Sequence, residues 1–317
     1  MVYRLNVLLP LSNGHRNIHP EALLEITMLR VLSLFLLFLS LGSHAAEVKT
    51  SHNGLTLNGQ LQTAHGKSLK DGVVLILHGT LSHNRTELIE GVQKQLTEQG
   101  LNTLAINLSL GVDDRHGTYD CATPTRHKHT DALDELGVWM AWLKIQGAGP
   151  VTLVGHSRGG NQVAWFAAER MSPALRKVVL LAPQTWPAGY AAKMYQKRYG
   201  TDLAPLLKTA QADAKTMLGP VDFLYCPKTR VSAGSFVNYY TEDSRFDTPG
   251  LLAAIRVPVL VVAAEGDAIV PGLVERVQPQ ADGQRVQLKV LSGADHFFRD
   301  LYTEDAVEAI QAFLRAP

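Results

Sequence analysis

The run Val151-Thr152-Leu153-Val154-Gly155-His156-Ser157-Arg158-Gly159-Gly160 constrains this chain more than any other stretch. Four β-favouring residues lead into Gly-x-Ser-x-Gly, and a helix-like segment comes next, from Asn161 to Arg170. The five-residue pattern alone is a weak signal, because glycine and serine are common in loops. Between a strand and a helix it describes a sharp turn that strains the serine backbone and pushes its oxygen out above the sheet edge. Small residues two before and two after the serine let the flanking backbones pass closely. An ordinary glycine-rich βα turn would carry the same residues, so the rest of the chain must supply partners for Ser157.

The segments flanking this run alternate between two periodicities. Residues 47–51 and 55–63 read as strands joined at Asn53-Gly54, a strong hairpin pair. The uninterrupted apolar run 73–77 suits a strand buried on both faces of a parallel sheet. Asn84 with Glu87 three residues on predicts a capping box, and Leu88, Ile89, Val92 and Leu96 continue at helical spacing until Gly100. Another strand is expected over 101–108, a polar loop over 111–130, and a helix carrying Leu133, Leu136, Met140 and Leu143 on one face. Strands are expected again over 177–182, 257–262 and 285–291, with helices from about Gly272 and from about Glu304. This order predicts an α/β fold: a mostly parallel central sheet of about eight strands flanked by helices.

The rhythm breaks between Pro183 and Thr248. Helix-like pieces around 190–199 and 203–217 occur there with no clear strand, and Gly219-Pro220 and Cys226-Pro227 separate them from the later part of the segment. A helical lid insertion over about 184–248 is the expectation. Its aromatics (Trp186, Tyr190, Tyr195, Phe223, Tyr225, Phe236, Tyr239, Tyr240) could line a pocket, although packing against the body accounts for most of them.

A formal net charge of +1 and the lack of any block of like charge point away from nucleic acid and from an anionic membrane surface. At the N-terminus, Met28-Leu29-Arg30 precedes an apolar run from Val31 to Leu41 and the small-x-small site Ser43-His44-Ala45, the pattern of a secretory signal peptide. The expectation is translation from Met28, loss of residues 1–45 as extension and signal, and an exported domain over 46–317, periplasmic or extracellular. The apolar run is short for a bilayer, so no stable membrane anchor is expected; a buried helix is the alternative. In an oxidising compartment Cys121 and Cys226 would be a possible disulfide, with two unrelated thiols the competing reading.

Ser157 needs a base, because a serine hydroxyl is a poor nucleophile at neutral pH, and that base needs an acid to orient it. The ends of the last expected strands supply both. Ala263-Ala264-Glu265-Gly266-Asp267 lies past one strand, and Ser292-Gly293-Ala294-Asp295-His296 past the other. Sites in open parallel sheets lie beyond the C-terminal ends of strands. Glu265 competes with Asp267, whose Asp-x-x-Val-Pro context favours it. Asp295 is too near His296 in sequence to orient it and reads as a solvated surface residue.

With Ser, Asp and His in this order, the chain resembles the α/β-hydrolase fold superfamily over roughly residues 47–315. The resemblance rests on the Gly155–Gly159 turn, His78-Gly79, Gly266-Asp267 with Val270-Pro271, and Asp295-His296. It implies Ser157 as nucleophile, His296 as general base and then acid, and Asp267 as the group fixing the imidazole. It also implies an oxyanion hole from the backbone N–H groups of Arg158 and of Thr80 or Leu81. The expected activity is hydrolysis of a small-molecule carboxylic ester through an acyl-enzyme, with no cofactor and no metal. A peptidase or amidase on the same fold and a non-catalytic binding protein are the alternatives. His78 is expected to stabilise the oxyanion loop and His156 to pack. Asp113, Asp114, His116 and Asp120, with His127 and His129, could suggest a metal, but the histidines lack helical pairing and read as solvated rim residues. Arg115 or Arg158, at the rim, could hold a substrate carboxylate.

Overall fold

The computed structural model describes residues 44–316 apart from Met171; the expected signal segment and the start at Met28 lie outside the described residues. β1 (His44–His52) and β2 (Leu55–Thr63) form a hairpin turned at Asn53-Gly54, both residues at positive φ. Ala45 and Ala46, at the expected cleavage point, pair with Gln62 and Leu61. The chain continues through β3 (Val73–Leu77), α1 (Glu87–Glu98), β4 (Thr103–Ile106), α2 (Asp131–Ile145), β5 (Val151–His156), α3 (Arg158–Glu169) and β6 (Leu175–Leu181). The insertion carries α4 (Tyr190–Tyr199), α5 (Leu203–Ala212), β7 (Met217–Phe223), β8 (Cys226–Ser232), α6 (Ala233–Tyr240) and α7 (Thr248–Leu251). β9 (Val259–Ala264), α8 (Leu273–Val277), β10 (Val286–Leu291) and α9 (Leu301–Arg315) complete it.

The eight-stranded sheet runs β1-β2-β4-β3-β5-β6-β9-β10, antiparallel at β1-β2 and β2-β4 and parallel elsewhere. Every residue of β3, β4, β5 and β9 is buried, because helices cover both faces and a strand in that position has no polar side. All the central strands therefore end at one edge of the sheet, and that edge holds the turn after β5 and the loops after β9 and β10. Among the described residues no helix is long and apolar enough to cross a membrane.

Two local expectations are corrected. Asn84 does not cap α1: the N-cap is Thr86, and Asn84 turns inward, donating through Nδ2 to Ala105 O (3.0 Å) while Asn107 Oδ1 accepts its backbone N–H (2.8 Å). The Asn-x-x-Glu pattern ties the approach to α1 onto the end of β4 instead of closing a helix end. The insertion is helical but also contains the antiparallel pair β7-β8, where the sequence pattern shows no strand. Pro220 and Pro227 conceal it, and a two-stranded ribbon with irregular register tolerates them because each strand has a free edge.

The insertion is stitched to the polar loop before α2. Cys121 and Cys226 form a disulfide with Cα atoms 5.3 Å apart. Beside it, Thr125 N donates to Arg230 O (2.8 Å), Ser232 N donates to Thr125 O (2.8 Å) and Thr229 Oγ1 donates to Cys121 O (2.8 Å).

Candidate active site

Ser157 stands between β5 and α3 at φ 56°, ψ −121°, a conformation that L residues rarely adopt. Its neighbours explain how the chain tolerates this. A Cβ on Gly155 would overlap the carbonyl of Gly159, and one on Gly159 would overlap the carbonyl oxygen of His78. Only glycine lets the strand, the helix start and the loop after β3 approach so closely. The strained turn is pinned by Ser157 N donating to Leu181 O (2.9 Å) and by Gln184 N donating to Ser157 O (2.9 Å).

The loops after β9 and β10 bring two further side chains to this turn. His296 Nε2 lies 2.9 Å from Ser157 Oγ, and His296 Nδ1 lies 2.7 Å from Asp267 Oδ2. The other oxygen of Asp267 accepts the N–H groups of Ile269 (2.7 Å) and Val270 (3.0 Å), which fixes the carboxylate and leaves Oδ2 for the imidazole. The arrangement defines the tautomer: Nδ1–H donates to Asp267 and Nε2 accepts the serine hydroxyl. Burial raises the Asp267 carboxyl, but the bond and charge of His296 with the two N–H donors outweigh it and hold the group below the usual carboxylate range. Both side chains are 5% exposed. Glu265 lies away from the imidazole and accepts Gly293 N–H (3.1 Å), while Asp295 pairs with Arg299 (2.9 Å) on the surface.

Thr80 and Leu81 wall the space in front of Ser157, and Arg158 follows it in the chain. Arg158 opens α3, where a helix leaves its first N–H groups without helical partners. Among the described residues the N–H groups of Thr80 and Leu81 donate to no acceptor, and Leu81 is held at φ 54°. Its carbonyl is turned away to accept Tyr119 N–H (2.9 Å). Behind the loop, His78 donates from Nδ1 to Gly79 O (2.8 Å) and accepts through Nε2 from Leu108 N (3.2 Å) and Arg115 Nη2 (3.1 Å). Burial first, and then the Arg115 charge, push His78 down to about 3, so it stays neutral and performs both roles.

His156 does more than pack. Its ring lies tilted against the His296 ring, centroids 4.9 Å apart, and it also donates from Nε2 to the carbonyl oxygen of His296 (2.9 Å). Burial and the neighbouring His296 push it down to about 3, which keeps it neutral. No sequence pattern exposes this contact, since its two ends are unrelated in the chain.

Several expectations about the loop before α2 are corrected. Arg115 is not at the rim: it is buried behind His78, with its remaining donors on Leu108 O (2.7 Å) and Gly117 O. His127 and His129 are not solvated; both are enclosed, His127 against Tyr239 Oη (2.8 Å) and His129 between Trp165 and Phe246. The polar spacing of the loop conceals that it folds inward beneath the insertion. Asp114 and His116 cluster instead with Glu47 near the surface, where Lys49 supplies a balancing charge to both carboxylates. Of the insertion's aromatics, Tyr195, Phe223, Phe236, Tyr239 and Tyr240 are buried in packing, whereas Tyr225 is 50% exposed.

A cavity of about 510 Å³ opens in front of Ser157, walled by Leu81, Leu88, Tyr119, Tyr225, Ile269 and Phe297. That is room for a small organic substrate with an apolar portion.

A sheet of this order, carrying its serine on the strained turn after the fifth strand, is the architecture of the α/β hydrolases. The family model described as the alpha/beta hydrolase family matches residues 73–311, and the chain belongs to that family. No curated protein sequence matches it at a significant level. Among solved structures it is similar to Est1E from Butyrivibrio proteoclasticus with ferulic acid bound (22% identity, TM-score 0.62, covering 84% of this chain and 97% of that one). It is also similar to the Pyrococcus furiosus esterase Pf2001 (18%, TM-score 0.57, covering 87% and 91%). A third is an alpha-beta serine hydrolase homologue from Coxiella burnetii (16%, TM-score 0.53, covering 84% and 96%). At these identities the likeness is one of fold.

Proposed function

We propose that this protein hydrolyses a small-molecule carboxylic ester through an acyl-enzyme on Ser157. The observation that carries the reading is the unbroken hydrogen-bonded chain from Ser157 Oγ through His296 to Asp267. His296 Nε2 takes the hydroxyl proton as Oγ attacks the ester carbonyl. The resulting imidazolium faces Asp267, whose carboxylate stabilises it without taking the proton. The oxyanion accepts hydrogen bonds from the N–H of Arg158 and of Thr80 or Leu81, each such donor contributing about 10²–10³ in rate. His296 then protonates the leaving alkoxide. A water, deprotonated by the same nitrogen, releases the acyl group as a carboxylic acid and restores the serine. Each step uses groups of the chain itself. The esterase names among the structural neighbours support an ester as substrate.

Labelling by a fluorophosphonate probe, abolished in Ser157→Ala, separates a hydrolase from a binding protein. A panel pairing each ester with the anilide of the same acid separates esterase from amidase. Retained labelling in Ser157→Ala sinks the assignment of the nucleophile.

Export is part of the same proposal, with residues 1–45 removed and the domain 46–317 acting outside the cytoplasm. The apolar run ahead of Ala45 and the Cys121–Cys226 disulfide support it. N-terminal sequencing of the secreted protein tests it, and an intact Met1 would refute it.

A further inference from the structure

We propose that Arg158 and Arg198 form an anion subsite beside the serine, and that the ester hydrolysed here carries a second group, a free carboxylate, that seats between them. The proposal deepens the hydrolase reading and rests on it for the position of the scissile bond.

The Arg158 side chain is buried, with a relative exposure of 5%. Its Nε donates to Thr80 Oγ1 (3.0 Å) and its Nη1 to His129 Nδ1 (3.1 Å). The guanidinium carbon stands 4.8 Å from the Trp186 ring and 5.1 Å from the Tyr239 ring. None of these partners is anionic. His129 is held neutral by its burial, and accepting from Arg158 does nothing to balance the charge. Among the described residues no carboxylate lies within ion-pair distance of Arg158, and its Nη2 has no hydrogen-bond partner. Two other arginines bordering the insertion do find carboxylates: Arg245 pairs with Asp243 and Glu169, and Arg276 with Asp247. A buried cation left without an anion is strongly unfavourable, so a position like this is occupied with least strain when a ligand supplies the charge.

The space for that ligand is present. A cavity of about 120 Å³ is walled by Arg158, Arg198, Trp186, Tyr190, Met194 and Ile269 among others, with no aspartate or glutamate in its lining. Arg198 reaches it from α4, its guanidinium 4.2 Å from the Tyr225 ring and its Nη1 on Leu224 O (3.1 Å), and it too pairs with no carboxylate among the described residues. Two planar guanidinium groups suit the flat, bidentate carboxylate. This space is small beside the one of about 510 Å³ at Ser157, which suits it to a carboxylate on a short chain. Tyr225 and Ile269 also wall the cavity at Ser157, so the two spaces adjoin. An ester lying at Ser157 can therefore place a charged end against Arg158, and the larger cavity takes the remainder.

The test compares monoethyl succinate, glutarate and adipate with their neutral carboxamide counterparts, in the wild-type protein and in Arg198→Gln and Arg158→Gln. For at least one chain length the carboxylate ester is expected to be favoured about tenfold or more in kcat/KM, and that ratio to fall about tenfold in each variant through KM. A ratio of one or less for every length, or a preference that survives both substitutions, overturns the subsite. Because Arg158→Gln also disturbs Thr80, Arg198→Gln carries the decision if the first variant misfolds. Calorimetric titration of Ser157→Ala with the free dicarboxylates reads the subsite without turnover: binding lost on adding Arg198→Gln supports it, and no binding overturns it. If neither ester is cleaved and Ser157 takes no label, the hydrolase reading has failed, and the titration still decides the anion subsite by itself.

Discussion

His156 donates its Nε2–H to the carbonyl oxygen of His296 at 2.9 Å, joining the strained turn after β5 to the loop after β10 across 140 residues of sequence. The bond fixes the backbone of the residue that faces Ser157, while Asp267 fixes its ring. The imidazole is thus held at both ends of its residue, by His156 at the end of β5 and by Asp267 in the loop after β9. A base positioned in this way needs no rearrangement before it takes a proton, which is the condition for efficient transfer.

Replacing His156 should therefore act on catalysis through position. His156→Ala is expected to lower kcat by about tenfold to a hundredfold with little change in KM, because a small misplacement of the base has a cost of that order. His156→Gln, which keeps a donor, should recover part of the loss. Steady-state kinetics of the two variants check this, and equal loss in both would show that the donated bond is unimportant.

Asp267→Asn leaves the shape of the site nearly intact but replaces an acceptor of Nδ1–H with an amide that can favour the wrong tautomer. A loss in kcat on the order of 10⁴ is expected. Ser157→Ala and His296→Ala should lose more, on the order of 10⁶ in kcat, and double variants that include either should lose little beyond that, because the three groups act as a unit. Additive losses in the double variants would contradict the shared mechanism.

Acid should destabilise the protein below about pH 6.5. Burial is the leading cause that holds His78, His127 and His156 down at about 3, so the folded state refuses protons that the unfolded chain accepts between pH 6.5 and 3. Stability is present above 6.5 and declines as the pH falls, by about 1.4 kcal/mol per pH unit for each histidine. Glu135 works in the opposite sense. Burial raises its carboxyl to about 7, so the folded state gains a proton first as pH falls from 7 towards 4.5. His129, also held down by burial, adds to the three, and burial raises Asp131 alongside Glu135; the four histidines outweigh the two carboxyls and leave a net loss, measurable as a falling Tm between pH 6.5 and 5. A Tm that rises over that interval would refute the balance.

The disulfide closes a loop spanning 105 residues. Such a closure is worth roughly 4–5 kcal/mol in the chain-entropy account. Reduction, or Cys226→Ser, should lower Tm on the order of 10 °C and loosen the insertion against the loop that carries Tyr119 and its bond to Leu81. Thermal melts with and without reductant measure the first effect. Protease cleavage within 184–248, faster after reduction, measures the second.

Much of the site is legible in the sequence because its parts are local. Val73–Leu77 and Val259–Ala264 read as central strands since a strand covered on both faces has no polar positions, and both are fully buried. Gly155, Ser157 and Gly159 mark the turn because only glycine permits its close backbones. Asp267 and His296 stand just past strand ends, where a parallel sheet directs its loops to one edge. The features that local pattern misses have their cause elsewhere in the chain. Pro220 and Pro227 hide a ribbon that exists because its edges are free, and Asn84 is claimed by β4 before it can cap a helix.

By itself the sequence determined the order of strands and helices, the strained serine turn and the loops that face it, since periodicity and backbone permission act within a few residues. Only the tertiary structure decided that His156 holds His296, that the polar loop before α2 folds inward with His127 and His129, and that Arg158 is enclosed among Thr80, His129, Trp186 and Tyr239 with no anion among the described residues. Those facts depend on which groups the packing of distant segments brings together or keeps apart, and burial and charge compensation are properties of that assembly.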